Sequence, residues 1–107
     1  MRVSDCVQVL TTAGSEEEAG RIASLLVERR LAACVQVVGP VTSRYRWQGS
    51  IEEDREWQCL AKTTRAAYEA VEAAIREVHP YDEPEIIATP IVAGSAGYLA
   101  WIEENVS

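Results

Sequence analysis

The chain carries one histidine, within the run His79-Pro80-Tyr81-Asp82-Glu83-Pro84-Glu85. Imidazole is the side chain whose ordinary pKa lies nearest neutrality, and it is a common transition-metal ligand. Here it is followed by a phenol and three carboxylates. Pro80 and Pro84 restrict the backbone, so these groups sit on a shaped corner rather than a floppy loop. Two readings stay open: a helix stop leading into an acidic turn, or part of a metal site. Imidazole and carboxylate together suit Cu(II), Zn(II) and similar ions. In one chain, His79 with Asp82, Glu83 and Glu85 makes an incomplete ligand set. A cyclic oligomer would complete it with a neighbour's residues.

Other reactive side chains point less clearly to chemistry. Cys6, Cys34 and Cys59 are odd in number and lack CxxC spacing, so neither a disulfide scaffold nor a zinc ribbon is expected. Each reads as a small buried hydrophobe, with Cys34 the exception if there is one. Arg29-Arg30 suits the negative end of a helix dipole, or an anion. Lys62 stands just before Thr64, a candidate helix N-cap, where a lysine beside free amides also suits an anionic ligand. Lys62, Arg30 and Tyr81 are therefore the candidate residues of a ligand cleft. No serine lies in a GxSxG elbow and no glycine-rich phosphate loop is present. The sequence gives no positive ground for an enzyme.

The elements that must position these groups follow from pattern. At 107 residues and 48% hydrophobic, the chain reads as one domain, 1–107, with ample core. A net charge of −7 argues against nucleic acid as a partner, because phosphate contacts need clustered Lys and Arg. No apolar run approaches the ~18 residues of a membrane span, so no membrane insertion is expected. No export signal is evident after Met1-Arg2-Val3-Ser4-Asp5, and a reduced cytoplasmic protein is expected.

Val7 to Thr12 reads as a strand, and Ser15-Glu16-Glu17-Glu18 as a capping box opening a helix. Ala19, Ile22, Ala23 and Leu26 give that helix an apolar stripe. Ala33 to Val38 is continuously apolar and is expected to be central, covered on both faces. Gly39-Pro40 predicts a bend or bulge. Thr42 to Trp47 alternates, Gln48-Gly49-Ser50 is a turn, and a return strand runs from Ile51 to about Thr63.

With Gly49 at the centre of the hairpin, Arg46 faces Glu52 and Arg44 faces Asp54. A one-residue slip that set Arg44 against Arg55 would oppose like charges. The other face then carries Val41, Tyr45, Trp47, Ile51 and Trp57. Such an aromatic ribbon is too long for a small sheet to bury alone. Tyr45, Trp47 and Trp57 are therefore candidate contacts with a partner subunit. A second helix carries Tyr68, Val71, Ile75 and Val78 and stops at Pro80. A strand from Glu85 to Val92, with Pro90 marking an edge or bulge, and a last helix opening near Ser95 complete the chain. The order β-α-β-β-α-β-α resembles a split βαβ, ferredoxin-like α+β sandwich with a long β2-β3 hairpin and an extra C-terminal helix.

Six pieces together carry a family resemblance. They are Leu10-Thr11-Thr12-Ala13, Leu31-Ala32-Ala33-Cys34-Val35, Tyr45-Arg46-Trp47-Gln48-Gly49, Lys62-Thr63, His79-Pro80-Tyr81 with Pro84-Glu85, and Tyr98-Leu99-Ala100-Trp101. In this order they resemble the CutA family of divalent-cation tolerance proteins. The resemblance implies a homotrimer joined through hairpins and sheet edges, a link to copper(II) or another divalent ion, and no established catalysis. No cofactor is expected to be needed for folding. Members are architecturally similar to PII signalling trimers, which bind small effectors between subunits.

Copper-binding members are associated with a cysteine near the end of the first strand and paired histidines before Pro-Tyr. The matching positions here are Thr11, Val78 and His79, so only the second histidine remains. His79 is the one ligand the resemblance carries over, and Glu85 is added from its place on the corner. Two functions remain: metal binding through these residues, or a sensor holding an anionic effector near Lys62 and Arg30.

Overall fold

A computed structural model describes residues 4–107; Met1 to Val3, at the head of the N-terminal stretch considered above, lie outside them. The elements are β1 (Cys6–Ala13), α1 (Glu16–Glu28), β2 (Cys34–Trp47), β3 (Ser50–Thr64), a 3-10 turn (Arg65–Ala67), α2 (Tyr68–Val78), β4 (Ile86–Pro90) and α3 (Ala96–Glu104). The four strands form one antiparallel sheet in the order β2-β3-β1-β4. This is a mixed α+β chain with helices alternating between strands.

Local chemistry sets the element ends. The Ser15 hydroxyl accepts from the Glu18 amide at 3.1 Å and caps α1, whose first turn holds three glutamates at the positive end of the dipole. The Thr64 hydroxyl accepts from the Ala67 amide at 3.3 Å and opens the second helical segment. Pro80 follows the cap residue His79 and prevents α2 from continuing.

Alternation along the strands makes two unequal faces. Val7, Val9, Ala13, Cys59 and Ala61 turn toward α1 and α2 and close the main core with Ile22, Leu26, Val71 and Ile75. Among the described residues, the second face is covered at one end only, where Leu99 and Ile102 of α3 pack on Cys6. Across the rest runs the row Gln36, Leu60, Leu10, Ile87, one residue from each strand. Ile87 is 49% exposed and Val38 43%.

Three expectations are corrected here. β2 is an edge strand and largely exposed, not a central one; its apolar run faces outward instead of being covered twice. The hairpin register is offset by one residue: Arg44 pairs with Glu53, Tyr45 with Glu52 and Arg46 with Ile51. The cause is the turn, in which Gln48 and Gly49 alone connect the strands, both at positive φ (49° and 83°), as a two-residue turn matching strand twist requires. Arg44 still meets a carboxylate, forming an ion pair with Glu53.

The aromatic face is also redrawn. Tyr45 and Trp47 share it with Glu52, Asp54 and Glu56, whereas Ile51 lies on the opposite side. Trp57 packs against the main core and stands opposite Ala13 of β1. There the expected bulge appears, with the register shifting between Val38 and Val41. Trp57 lies over Gly39: a Cβ added there would stand 2.5 Å from Trp57 Cδ1. The molecule measures 45 × 26 × 22 Å, the long axis reflecting the projecting hairpin.

Two glycine substitutions separate these constraints. Gly39→Ala should lose ~1–3 kcal/mol by overpacking against Trp57. Gly20→Ala, with nothing within 4 Å of the new Cβ in α1, should gain about 0.5–1 kcal/mol. Urea unfolding of both variants checks the opposite signs.

Candidate functional site at the His79 corner

The corner is built around the imidazole. His79 ends α2 and is 8% exposed. Its Nε2 lies 2.7 Å from the Thr12 carbonyl, and the Tyr81 amide lies 3.2 Å from Nδ1. A carbonyl only accepts and a backbone amide only donates. The ring is therefore neutral, with its proton on Nε2. One side chain thus joins the end of β1 to the first residues after α2. To ligate a metal, His79 would have to surrender one of these bonds.

The Tyr81 ring lies beside this one at a tilt of 58°, with centroids 4.6 Å apart. Its phenol donates to Glu56 Oε2 at 3.2 Å, and a Cβ added at Gly14 would stand 3.2 Å from the phenol oxygen of Tyr81. Glu56 is only 8% exposed. Among the described residues it has no cationic partner: its one bond is to neutral Tyr81. A nearly buried carboxylate without a counter-charge is costly. Burial first, then the Glu56 charge, pushes Tyr81 up to about 12. Further along the ribbon the Tyr45 phenol donates to Asp54, and that bond, ahead of every other cause, raises Tyr45 to about 12.

These groups line a cavity of about 600 Å³ between hairpin and corner. Its walls include Tyr45, Trp47 and Tyr81, with Asp54 and Glu56 from β3 and Asp82, Glu83 and Glu85 from the corner. Arg44 also lines it, but its guanidinium is held by Glu53. Glu83 is drawn to Arg76 at 3.3 Å. Among the described residues, no group of three or more His, Cys, Asp or Glu side chains is arranged to hold a metal ion.

The structure brings His79, Tyr81 and Glu85 to one corner and places Tyr45 and Trp47 beside it. Trp57 stays with the core. The anionic-cleft residues are not gathered within one chain. Lys62 Nζ donates to Gln36 at 2.9 Å, and it lies six residues along β3 from Glu56, the partner of Tyr81, or ~20 Å of strand. Arg30 sits after α1 at φ 58° and donates to the Glu104 carbonyl. From the sequence Asp54 enters only as the cross-strand partner of Arg44, and Glu56 is not singled out. With the observed register, alternation alone puts them beside Tyr45 and Trp47.

Cys6 and Cys59 are each 1% exposed, and Cys59 Sγ donates to the Ala19 carbonyl. Burial pushes the Cys59 thiol up to about 11. Cys34 is partly exposed. Thr11, at the position matched to the family's cysteine, is 1% exposed and its hydroxyl has no partner among the described residues.

The family model described as CutA1 divalent ion tolerance protein matches residues 7–105. The chain belongs to the CutA family. It is 50% identical over 97 residues to the divalent-cation tolerance protein CutA of Thermus thermophilus, covering 91% of this chain and 94% of that protein. It is 42% identical over 93 residues to human protein CutA, covering 87% of this chain but only 52% of the human protein. The solved Thermus thermophilus structure superposes with a TM-score of 0.94 at 48% identity, covering 95% of this chain and 99% of that one. Relatives bear tolerance-protein names rather than enzyme names. They include chloroplastic and periplasmic members, so family membership does not fix a compartment. Among the described residues, no helix is long and apolar enough to cross a membrane.

The phenol of Tyr81 makes the site testable by pH. Its pKa rises from 10.0 unfolded to about 12 folded, so its contribution to stability is complete below pH 10 and is lost as pH climbs through 12. Phenolate absorbance should show late-ionising tyrosines in the folded protein, and Glu56→Gln should bring one of them back toward 10.

Proposed function

We propose that this CutA-family chain works as a homotrimer in the cell's response to divalent ions, on a ferredoxin-like frame and in the cytoplasm. The carrying observation is the incompletely covered sheet face, where Leu60, Leu10 and Ile87 continue to edge-strand residues as exposed as Val38. Apolar surface of this kind marks an interface, and an exposed apolar edge strand is a liability unless something covers it. Tyr45 and Trp47 on the projecting ribbon extend the same surface. The number three comes from the family.

Copper(II) or another divalent ion is the cargo of this reading. Glu85, exposed at the corner beside Asp82, is the donor it uses, completed by groups from a neighbouring copy. His79 is kept as the candidate ligand named by the family pattern, but the reading gives it a positioning role, because both its nitrogens are engaged. An anionic effector held by Lys62 and Arg30 is less well supported, since the two have different partners in the chain.

One sample tests both parts. Sedimentation equilibrium should give three times the 11.8 kDa chain mass, and Ile87→Lys should shift it toward monomer. A buffered Cu(II) titration should weaken in Glu85→Gln, whereas His79→Ala should keep the binding but lose ~1–3 kcal/mol of stability. A monomeric wild type overturns the assembly. Copper binding abolished by His79→Ala but untouched by Glu85→Gln overturns the role assigned to Glu85.

A further inference from the structure

The projecting hairpin sorts its charges by face. Residues directly opposite one another on paired strands point to the same side. Thr42 stands opposite Arg55, Arg44 opposite Glu53 and Arg46 opposite Ile51, so one face carries three arginines and a single carboxylate. On the other face Val41 stands opposite Glu56, Ser43 opposite Asp54, Tyr45 opposite Glu52 and Trp47 opposite Ser50. That face has three carboxylates, two aromatic rings and no cation. The chain as a whole is acidic, with a net charge of −7, so the basic face differs in sign from most of the molecule.

Part of this charge has no answer within the chain. Arg44 pairs with Glu53, Asp54 accepts from the Tyr45 phenol, and Glu56 accepts from Tyr81. Arg46, Arg55 and Glu52 are exposed and have no ion-pair partner among the described residues. Like charges also recur along each face: Arg44 and Arg46, or Glu52 and Asp54, lie two residues apart, ~7 Å along one strand. A surface of opposite sign relieves that repulsion, and the reverse side of the same ribbon is such a surface.

The sorting therefore selects how two copies meet. An isologous contact made by either face sets like charges against like, whereas a head-to-tail contact sets the basic face of one copy on the acidic face of the next. The apolar groups agree with the second arrangement. Ile51, 60% exposed, lies on the basic face, while Tyr45 and Trp47, 40% and 53% exposed, lie on the acidic one. A guanidinium pairs with a carboxylate and lies flat on a neighbouring ring at the same time. We propose, resting on the assembly put forward above, that the hairpins of neighbouring copies pack head to tail, basic face on acidic face. Arg46 and Arg55 of the partner subunit then complete the wall formed by Tyr45, Trp47, Glu52 and Asp54.

Sedimentation of charge-reversed full chains tests it. Arg46→Glu with Arg55→Glu makes both faces acidic, and Glu52→Arg with Asp54→Arg makes both basic. Each pair should raise the dissociation constant of the assembly about a hundredfold or more. All four substitutions together exchange the two faces and should bring it back to within about tenfold of wild type. That recovery also separates lost attraction from lost folding. Arg21→Glu with Arg29→Glu makes the same change of charge on exposed residues of α1, which covers the sealed side of the sheet, and should leave the assembly intact. Wild-type assembly in both ribbon pairs overturns this contact while leaving the trimer standing. No recovery in the fourfold variant, or equal loss in the α1 pair, overturns it too. A monomeric wild type overturns the assembly itself, and this contact with it.

Discussion

The site hangs on the hydrogen bonds of one buried imidazole. His79 donates to the Thr12 carbonyl and accepts from the Tyr81 amide, so β1, the end of α2 and the loop toward β4 meet at a single ring. With the ring fixed, Tyr81 is held where its phenol reaches Glu56, and the corner closes one side of the cavity. A histidine that a family pattern associates with metal therefore has a structural job in this chain. The absence of a second histidine at Val78 and of a cysteine at Thr11 fits that division of labour.

The second constraint is asymmetry. One face of the sheet is sealed by α1 and α2, while the other is capped only at the end where α3 meets Cys6. The long hairpin leaves the body of the fold and carries its aromatic rings and carboxylates on one shared face. The packed joint and the open ribbon thus occupy different regions. Gly39, Trp57 and Ala13 belong to the joint between body and arm, whereas Tyr45, Trp47, Asp54 and Glu56 shape what the arm can hold.

Much of this was legible from residues alone. Ser15 and Thr64 declare their caps, Pro80 its helix stop, and the stripes through Leu26 and Ile75 their buried faces. What escaped was decided by tertiary context. β2 looks central because its residues are apolar, yet edge strands that serve interfaces share that composition. The hairpin slipped by one place because Arg44 finds a carboxylate in either register, so charge pairing could not choose; the two-residue turn at Gln48-Gly49 did. That slip moved Ile51 across the ribbon and brought Asp54 and Glu56 into the site. The partnering of both His79 nitrogens had no sequence signal, because their partners are backbone groups 67 and two residues away.

The state of the His79 ring is the central claim, and long-range proton–nitrogen NMR reads it directly. At neutral pH the account predicts a single neutral tautomer, protonated at Nε2 with Nδ1 accepting, unchanged when Zn(II) is added in slight excess. A ring protonated at Nδ1, or a nitrogen resonance moved by stoichiometric Zn(II), would contradict it and return His79 to the metal.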